Sequence, residues 1–261
     1  MKDKLKILDL CSGIGGFSLG LESTGKFETV AFVEIDSFCQ RVLKKHWPDT
    51  PIFDDLKELA YESNGTIPEH DLICGGIPCQ PFSVAGKQKG KEDDRHLWPF
   101  MFEIIKRKKP TFAIVENVGG FVNVALDDVC LDLETEGYAT QSFIIPACGV
   151  EAPHRRDRIW IIGKQDVADP ESLQSYGGED GDLKEKGEGQ GQFRGEDSLR
   201  FPGRSNWRVE PSVGRVAHGV PNRVDRLKSL GNSIVPQIAY NIGLAIIDQY
   251  VKDNKNASTS N

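Results

Sequence analysis

An apolar run that leads directly into a glycine-rich turn is the feature that most constrains the fold of this 261-residue chain. Residues 6–10 read Lys-Ile-Leu-Asp-Leu, and residues 11–17 read Cys-Ser-Gly-Ile-Gly-Gly-Phe. The run has the length and apolar character of a buried parallel strand, and helical spacing begins after it at Phe17. This order predicts the opening unit of an α/β sheet, with a turn whose backbone N–H groups can approach a ligand closely. A glycine turn that binds nothing has the same pattern.

Short apolar runs and helical patterns alternate along the rest of the chain. Further strands are predicted at residues 29–33, 71–74, 111–115, 139–146 and 158–162. Further helices are predicted at residues 37–46, 97–108, 124–136 and 237–250, with Ser37 as an N-cap. The alternation indicates an α/β fold with a mostly parallel sheet.

The overall composition limits the classes of protein to which this chain can belong. Hydrophobic residues make up 38% of the chain and charged residues 27%, as in ordinary globular domains. No apolar run approaches the length of a membrane span, and residues 1–5 lack the apolar core of a signal peptide. The six cysteines form no Cys-x-x-Cys pair, so we expect no zinc knuckle, thioredoxin motif or bound metal. These features predict a cytoplasmic protein with free thiols and no membrane partner.

The net charge of −7 argues against a nucleic-acid binder when it is taken as a total. The distribution matters more, because the stretch from Arg200 to Lys228 carries seven basic and two acidic residues. A local basic segment can follow a phosphate backbone. A solvated arginine-rich surface has the same composition, and the charge pattern alone does not separate the two.

A cysteine between two prolines is the strongest candidate nucleophile. Cys79 lies between Pro78 and Pro81, just after Gly75-Gly76 at the end of a predicted strand. A thiol on a loop stiffened by prolines is well placed to attack a substrate. The loop beyond it carries four basic residues that can favour the thiolate, namely Lys87, Lys89, Lys91 and Arg95. The simpler alternative is a small buried cysteine in a turn.

Two glutamates end predicted strands on the same edge of the sheet. Glu34 follows the glycine turn by about 20 residues, where a carboxylate accepts hydrogen bonds from ribose hydroxyls. The spacing Gly13-Ile14-Gly15-Gly16 is not that of a pyrophosphate loop, which favours a nucleoside without phosphate. Glu116 follows the strand at 111–115, so it should share the ligand crevice with Glu34 and Cys79. A helix N-cap is the alternative role for Glu116.

Arg156 and Arg158 alternate just before and within the predicted strand at 158–162. In an extended chain, this spacing places both side chains on one face. A basic strand edge on the surface is the alternative.

The order of these motifs resembles that of the cytosine-C5 DNA methyltransferase family, in a bacterial or phage form. The resemblance rests on residues 9–17, 34–36 and 55–56 as cofactor motifs, 76–83 as nucleophile loop, 116–118 as acid motif, 156–158 as arginine pair and 231–235 as C-terminal motif. It implies a Rossmann-like sheet that uses S-adenosylmethionine, with a small, partly disordered target-recognition region.

The resemblance also assigns roles. The implied cofactor residues are Asp9, Cys11, Gly13, Gly15, Gly16, Glu34, Ile35, Asp55, Leu56, Pro78, Asn232 and Ser233. Cys79 would attack C6 of a flipped-out cytosine, Glu116 would bind N3 and the exocyclic amine, Arg158 would contact O2, and Arg156 would support the site and a phosphate. The implied contacts to double-stranded DNA are Gln80, Ser83, Arg95, Arg204, Arg208 and Arg215.

The resemblance predicts a domain layout as well. We expect a catalytic and cofactor-binding domain at 1–163, a short target-recognition region at 164–222 that is mobile at about 174–198, a C-terminal segment at 223–251 that returns to the catalytic domain, and a disordered tail at 252–261. Cys11 stands where the family often has Phe, and His154 where Gln is common. A catalytically silent DNA-binding relative and an RNA cytosine methyltransferase are the alternative functions. We expect a monomer, and a cognate restriction endonuclease stays an open question.

Overall fold

Seven strands form one sheet in the part of the chain that the computed structural model describes, which is residues 3–61, 67–77, 97–119, 121, 125–165 and 223–259. The strands are β1 (Leu5–Leu10), β2 (Phe27–Val33), β3 (Ile52–Phe53), β4 (Leu72–Gly76), β5 (Phe112–Val118), β6 (Tyr138–Pro146) and β7 (Asp157–Gln165). Their order is β3-β2-β1-β4-β5-β7-β6, and only β7 runs antiparallel to its neighbours. The mostly parallel α/β sheet predicted from the sequence is confirmed.

Helices cover both faces of this sheet. They are α1 (Gly16–Glu22), α2 (Ser37–His46), α3 (Leu56–Tyr61), α4 (Trp98–Lys108), α5 (Leu126–Thr135), α6 (Arg223–Asn232) and α7 (Pro236–Thr259). Apolar residues of α3, α4 and α5 form one core with residues such as Leu8, whereas α1 and α7 form the other with residues such as Ile7. Adjacent residues of β1 serve opposite cores because successive side chains in a strand point to opposite faces.

The strand order places a crevice at the carboxyl ends of β1 and β4. From β1 the chain builds outward through β2 and β3, and it then returns to start β4 on the other side of β1. Ligands in open α/β sheets bind where the order reverses in this way. The turn after β1, the loop after β2 and the end of β4 all meet at this point.

Close contact between α1 and α7 brings the end of the chain back to its beginning. A Cβ atom added at Gly20 would lie 2.2 Å from the carbonyl oxygen of Pro236 and 2.8 Å from the Cβ of Ala239. Only glycine leaves room for the α7 backbone at this distance. The contact holds the first turn of α7 against the helix that follows the glycine turn.

The structure differs from the sequence prediction at several element ends. Asp36, not Ser37, caps α2, because its carboxylate accepts hydrogen bonds from the backbone N–H groups of Phe38 (2.9 Å) and Cys39 (3.3 Å). The final helix continues to Thr259, past residue 252, where we expected a disordered tail. Lys164 forms an ion pair with Asp253 (2.8 Å), which supports this extra length.

The stretch Val224–Lys255 is long and apolar enough to cross a membrane by length and composition, although no such run was expected from the sequence. In the structure this stretch comprises two helices, α6 and α7, with a break at residues 233–235. Ile238, Ala239 and Ile242 are buried against α1 and the sheet. These contacts identify α7 as a core helix, whose apolar face is covered by protein.

Candidate active site

The glycine turn and Glu34 are joined directly by hydrogen bonds. The Gly13 N–H donates to Glu34 Oε2 (2.6 Å), and the Asp36 N–H donates to Glu34 Oε1 (2.7 Å). Gly13 and Gly15 have φ values of +55° and +82°, which L side chains rarely adopt. Burial raises the pKa of Glu34, and the backbone N–H groups of Asp36 and Gly13 oppose that effect. The structure therefore places this carboxylate beside the glycine turn, and its role toward ribose hydroxyls stays a prediction.

Ile35 is the apolar surface beside this carboxylate. Ile35 is 74% exposed, so it offers an apolar surface next to the buried Glu34. Asp55 lies at the start of α3, where its side chain accepts the Lys57 N–H (2.8 Å). The side chain of Leu56, by contrast, is buried in the core.

Asp9 supports the turn from beneath. Its side chain is fully buried, and the Ser18 hydroxyl of α1 donates a hydrogen bond to it (2.7 Å). Burial raises the pKa of Asp9 to about 7, against the opposing hydrogen bond from Ser18. Cys11 adopts a φ of +51°, and burial raises the pKa of its thiol to about 12. Asp9 and Cys11 therefore contribute to the conformation of the glycine turn from within the protein.

Glu116 and Arg158 form an ion pair across neighbouring strands, in which Glu116 is buried and Arg158 is partly buried. Arg158 Nε lies 3.0 Å from Glu116 Oε1. Glu116 lies within β5, opposite Trp160 of β7, and Arg158 follows the same face two residues away. The helix N-cap alternative for Glu116 is therefore wrong. Burial raises the pKa of Glu116 to about 7, although Arg158 and Arg156 act in the opposite direction.

A glycine of β4 makes room for this glutamate. Gly76 pairs with Glu116 in the parallel register of β4 and β5, and a Cβ added to Gly76 would lie 3.1 Å from Glu116 Oε2. The Ile77 N–H then donates to the Glu116 carbonyl (3.2 Å). The described chain thus passes beside Glu116 two residues before Cys79.

Arg156 does not share a face with Arg158, contrary to the prediction from alternation. It precedes β7 with a φ of +36°, so the chain is not extended there. Its Nη2 donates to the carbonyl oxygens of Gly231 and Ser233, each at 2.7 Å. Arg156 therefore contacts the C-terminal motif, whereas Arg158 contacts Glu116.

The two predicted cofactor residues of that motif differ in their surroundings. Asn232 is exposed at the end of α6, and Ser233 packs near the glycine turn, where its Oγ would lie 3.1 Å from a Cβ on Gly16. The remaining predicted site residues lie outside the described residues; these are Pro78, Cys79, Gln80, Ser83, Arg95, Arg204, Arg208 and Arg215.

Sequence reasoning missed Ser18 and Lys228 as contributors to the site, and it included Asp36 in a cofactor motif without predicting that it caps α2. Asp36 could have been recognised, since an aspartate directly before a helix is a preferred N-cap. Ser18 and Lys228 carry no local signal, because their partners Asp9 and Asp36 lie on other elements.

Comparison with known proteins identifies the family and the fold of this chain. The family model for C-5 cytosine-specific DNA methylases matches residues 5–194. The chain is 36% identical over 171 residues to the type II methyltransferase M.HhaI of Haemophilus parahaemolyticus, covering 62% of this chain and 51% of that protein. It is 33% identical over 167 residues to M.HgiCII of Herpetosiphon aurantiacus, covering 62% and 38%.

A solved structure shares the fold. It is described as a DNA modification methyltransferase encoded within an E. coli prophage, and it matches with a TM-score of 0.52 and 26% identity over 66% of this chain and 48% of that chain. The chain thus spans about half, or less, of the length of the proteins that it matches. The family match covers most of the chain, from β1 through β7 and beyond. This protein belongs to the C-5 cytosine-specific DNA methylase family.

Proposed function

We propose that this protein transfers a methyl group from S-adenosylmethionine to C5 of a cytosine in duplex DNA. The observation that carries the proposal is the Glu116–Arg158 ion pair, which lies beside the end of the strand leading to Cys79. Glu34 and the glycine turn lie at the same edge of the sheet, which is where a donor must sit to reach the same base.

The residues around Glu34 fit the adenosine part of such a donor. Glu34 offers carboxylate oxygens at the end of β2, and Ile35 offers an exposed apolar surface for a planar base. A Cβ added at Gly13 would meet nothing within 4 Å, so there is open space above the turn. Glu34 would hold the ribose hydroxyls, with Ile35 and Asp55 at the adenine. When bound, S-adenosylmethionine supplies an electrophilic methyl group.

The chain's own residues would make the cytosine reactive. C5 of cytosine is a poor nucleophile, so Cys79 would attack C6 and form a covalent bond that leaves an enamine with a nucleophilic C5. A protonated Glu116 would donate a hydrogen bond to N3 as charge develops there. Arg158 would bind O2 and hold Glu116 in place. Once C5 carries the methyl group, a base such as water would take the C5 proton as the C6–S bond breaks, so that the Cys79 thiolate leaves and the aromatic ring is restored.

The base must leave the duplex for this chemistry. Cys79 and Glu116 have to approach C6 and N3, and stacking and pairing block both atoms in a helix. We therefore propose base flipping as part of the cycle. Residues 164–222 are the proposed recognition region, with Arg204, Arg208 and Arg215 as DNA contacts.

Trapping with 5-fluorocytosine tests the proposal. The full chain is incubated with S-adenosylmethionine and duplex DNA that carries the analogue, since fluorine at C5 prevents the elimination step. A denaturation-resistant complex that disappears in Cys79→Ser supports the proposed function. No complex with any duplex, together with one formed on tRNA, would favour the RNA alternative. Binding of DNA without any adduct or methyl transfer would identify a silent relative.

A further inference from the structure

The segment Lys228–Ile234 makes four contacts around the site, with Asp36, Cys39, the glycine turn and Arg156. We infer that Arg156 and Lys228 are positioning residues, which hold this segment and through it the cofactor loops in the binding geometry. The inference gives Arg156 a partner within the protein in place of the DNA phosphate that its motif implies. It rests on the proposed function in that the adenosine site is the one being positioned.

The first contact is between α6 and the loop that carries Glu34. Lys228 Nζ lies 2.8 Å from Asp36 Oδ2. The same Asp36 caps α2 through Oδ1, and its backbone N–H donates to Glu34. The hydrogen bond to Asp36 raises the pKa of Lys228, and the same bond lowers the pKa of Asp36. Lys228 is therefore linked to the proposed ribose-binding carboxylate through a single residue.

A second contact docks the same helix onto α2. Ser229 Oγ lies 3.4 Å from Cys39 Sγ, and both side chains are buried. Cys39 lies in the first turn of α2, next to the Asp36 cap. This buried contact and the exposed Lys228–Asp36 ion pair are made by adjacent residues of α6. Together they hold α6 against the β2–α2 loop and the start of α2.

The third contact is with the glycine turn. A Cβ added at Gly16 would lie 2.8 Å from Ile234 Cγ1 and 3.1 Å from Ser233 Oγ. No side chain fits between the turn and the segment, which therefore pack directly against each other. The segment touches both loops that flank the proposed adenosine site.

Arg156 supplies the link to the catalytic side. Its Nη2 donates to the Gly231 and Ser233 carbonyl oxygens, at the end of α6. The last carbonyl groups of a helix lack partners within the helix and carry its partial negative charge, so a guanidinium is favoured there. Both hydrogens of this nitrogen are used by these bonds. The residue lies two positions from Arg158, the partner of Glu116.

Binding of S-adenosylhomocysteine to the full chain without DNA tests this inference. We expect Arg156→Met to weaken binding roughly tenfold or more, because hydrogen bonds from charged groups are lost. Lys228→Met should weaken it only about two- to fivefold, since its ion pair is largely exposed. The loss of affinity in the double variant should be smaller than the product of the two single-variant losses, because both residues act through one segment. Arg155→Met is the matched control, since Arg155 is 83% exposed and pairs with Asp157, and its affinity should stay within about twofold of the wild type.

A direct phosphate contact predicts a different result. In that case Arg156→Met would leave the S-adenosylhomocysteine affinity unchanged and weaken binding to duplex DNA. The slope of log affinity against log salt concentration would also become shallower by about 0.9. This pair of results would overturn the inference.

Hydrogen exchange gives a readout that needs no ligand. We expect faster exchange of backbone amides at residues 12–17 and 34–40 in Arg156→Met than in Arg155→Met. A change confined to residues 155–158 would overturn the inference even if the protein binds no S-adenosylhomocysteine. Failure of the 5-fluorocytosine trap would instead count against the proposed function, so the two failures are distinguishable. Should Arg156→Met not fold, Lys228→Met provides the same comparison at an exposed position.

Discussion

Three carboxyl groups near the crevice have different partners, and these partners act on the pKa of each group. Glu34 is held by two backbone N–H groups, and Glu116 by the guanidinium of Arg158. Asp9 has the Ser18 hydroxyl, and of the described residues none forms an ion pair with it. Burial raises the pKa of all three, and the groups that oppose this shift differ from one carboxyl group to the next.

Replacing Glu116 with glutamine should slow methyl transfer by about 10²- to 10⁴-fold, because the amide cannot deliver a proton toward N3. Since the pKa of Glu116 is raised to about 7, its protonated form dominates below that pH and is lost as the pH rises through it. The wild-type single-turnover rate should therefore show a decline centred near pH 7 that the Glu116→Gln variant lacks. Single-turnover methylation between pH 6 and 9 measures this, with Glu28→Gln, at an exposed position, as control. Rates within twofold of the wild type for Glu116→Gln would rule out the assigned role.

Sequence reasoning placed Glu34, Glu116 and Cys79 at one sheet edge because strand ends in a parallel sheet are predictable from local pattern, whereas it placed Arg158 at the site only through the family resemblance. It could not find the partner of Arg156. That contact depends on a single left-handed residue and on a helix 75 positions away in the chain, and neither leaves a periodic signal.

At the scale of elements, glycines decide how closely α1 and α7 approach. Gly16 faces Ser233 and Ile234, Gly20 faces Pro236, and Gly243 faces Leu21 and Phe27. The close approach therefore runs along both helices. It helps to fix the position of the glycine turn, which leads directly into α1.

Gly20→Ala should destabilise the protein by about 1–3 kcal/mol, because the new methyl group would overlap the Pro236 carbonyl and force the helices apart. The gain in helix propensity, about 1 kcal/mol, offsets part of this loss. Urea unfolding followed by circular dichroism measures the change. Gly149→Ala is the control, since the atoms nearest to its new Cβ lie at 3.9 Å. A midpoint for Gly20→Ala equal to or above that of the wild type would contradict the packing argument.

The elements themselves were predictable to different degrees. The spacing of apolar residues alone predicts the long strands and the helices α2, α4, α5 and α7, although the ends of these elements differ from the prediction. β3 has two residues and exists through its pairing with β2, so no period reveals it. Among the described side chains of α6, the apolar Val224 and Leu230 are exposed, and the helix is held by Lys228 and Ser229, which explains why its pattern was missed.

For the whole molecule, Asp9 makes stability depend on pH. Its pKa is raised from 3.8 to about 7, so the folded state keeps a proton between these values that the unfolded state has released. Stability is then greatest below the unfolded pKa and falls as the pH rises through the folded one. Relative to Asp9→Asn, the wild type should lose roughly 2–3 kcal/mol of unfolding free energy between pH 5 and pH 8.

Urea unfolding of both proteins at the two pH values measures this difference. Asp49→Asn, at an exposed position, should track the wild type at both values. A constant gap between the wild type and Asp9→Asn across this range would show that the buried carboxyl does not hold its proton.

The described residues on either side of positions 166–222, at the end of β7 and in α6, are both anchored to the rest of the fold. Lys164, near the end of β7, forms an ion pair with Asp253. On the other side, α6 contacts Asp36, Cys39 and Arg156. The entropy of closing a loop grows only with the logarithm of its length, by about 0.6 kcal/mol for each doubling. A change in chain length between these two anchors should therefore cost the sheet little. Proteins with the same catalytic edge are free to differ greatly in size between these two anchors.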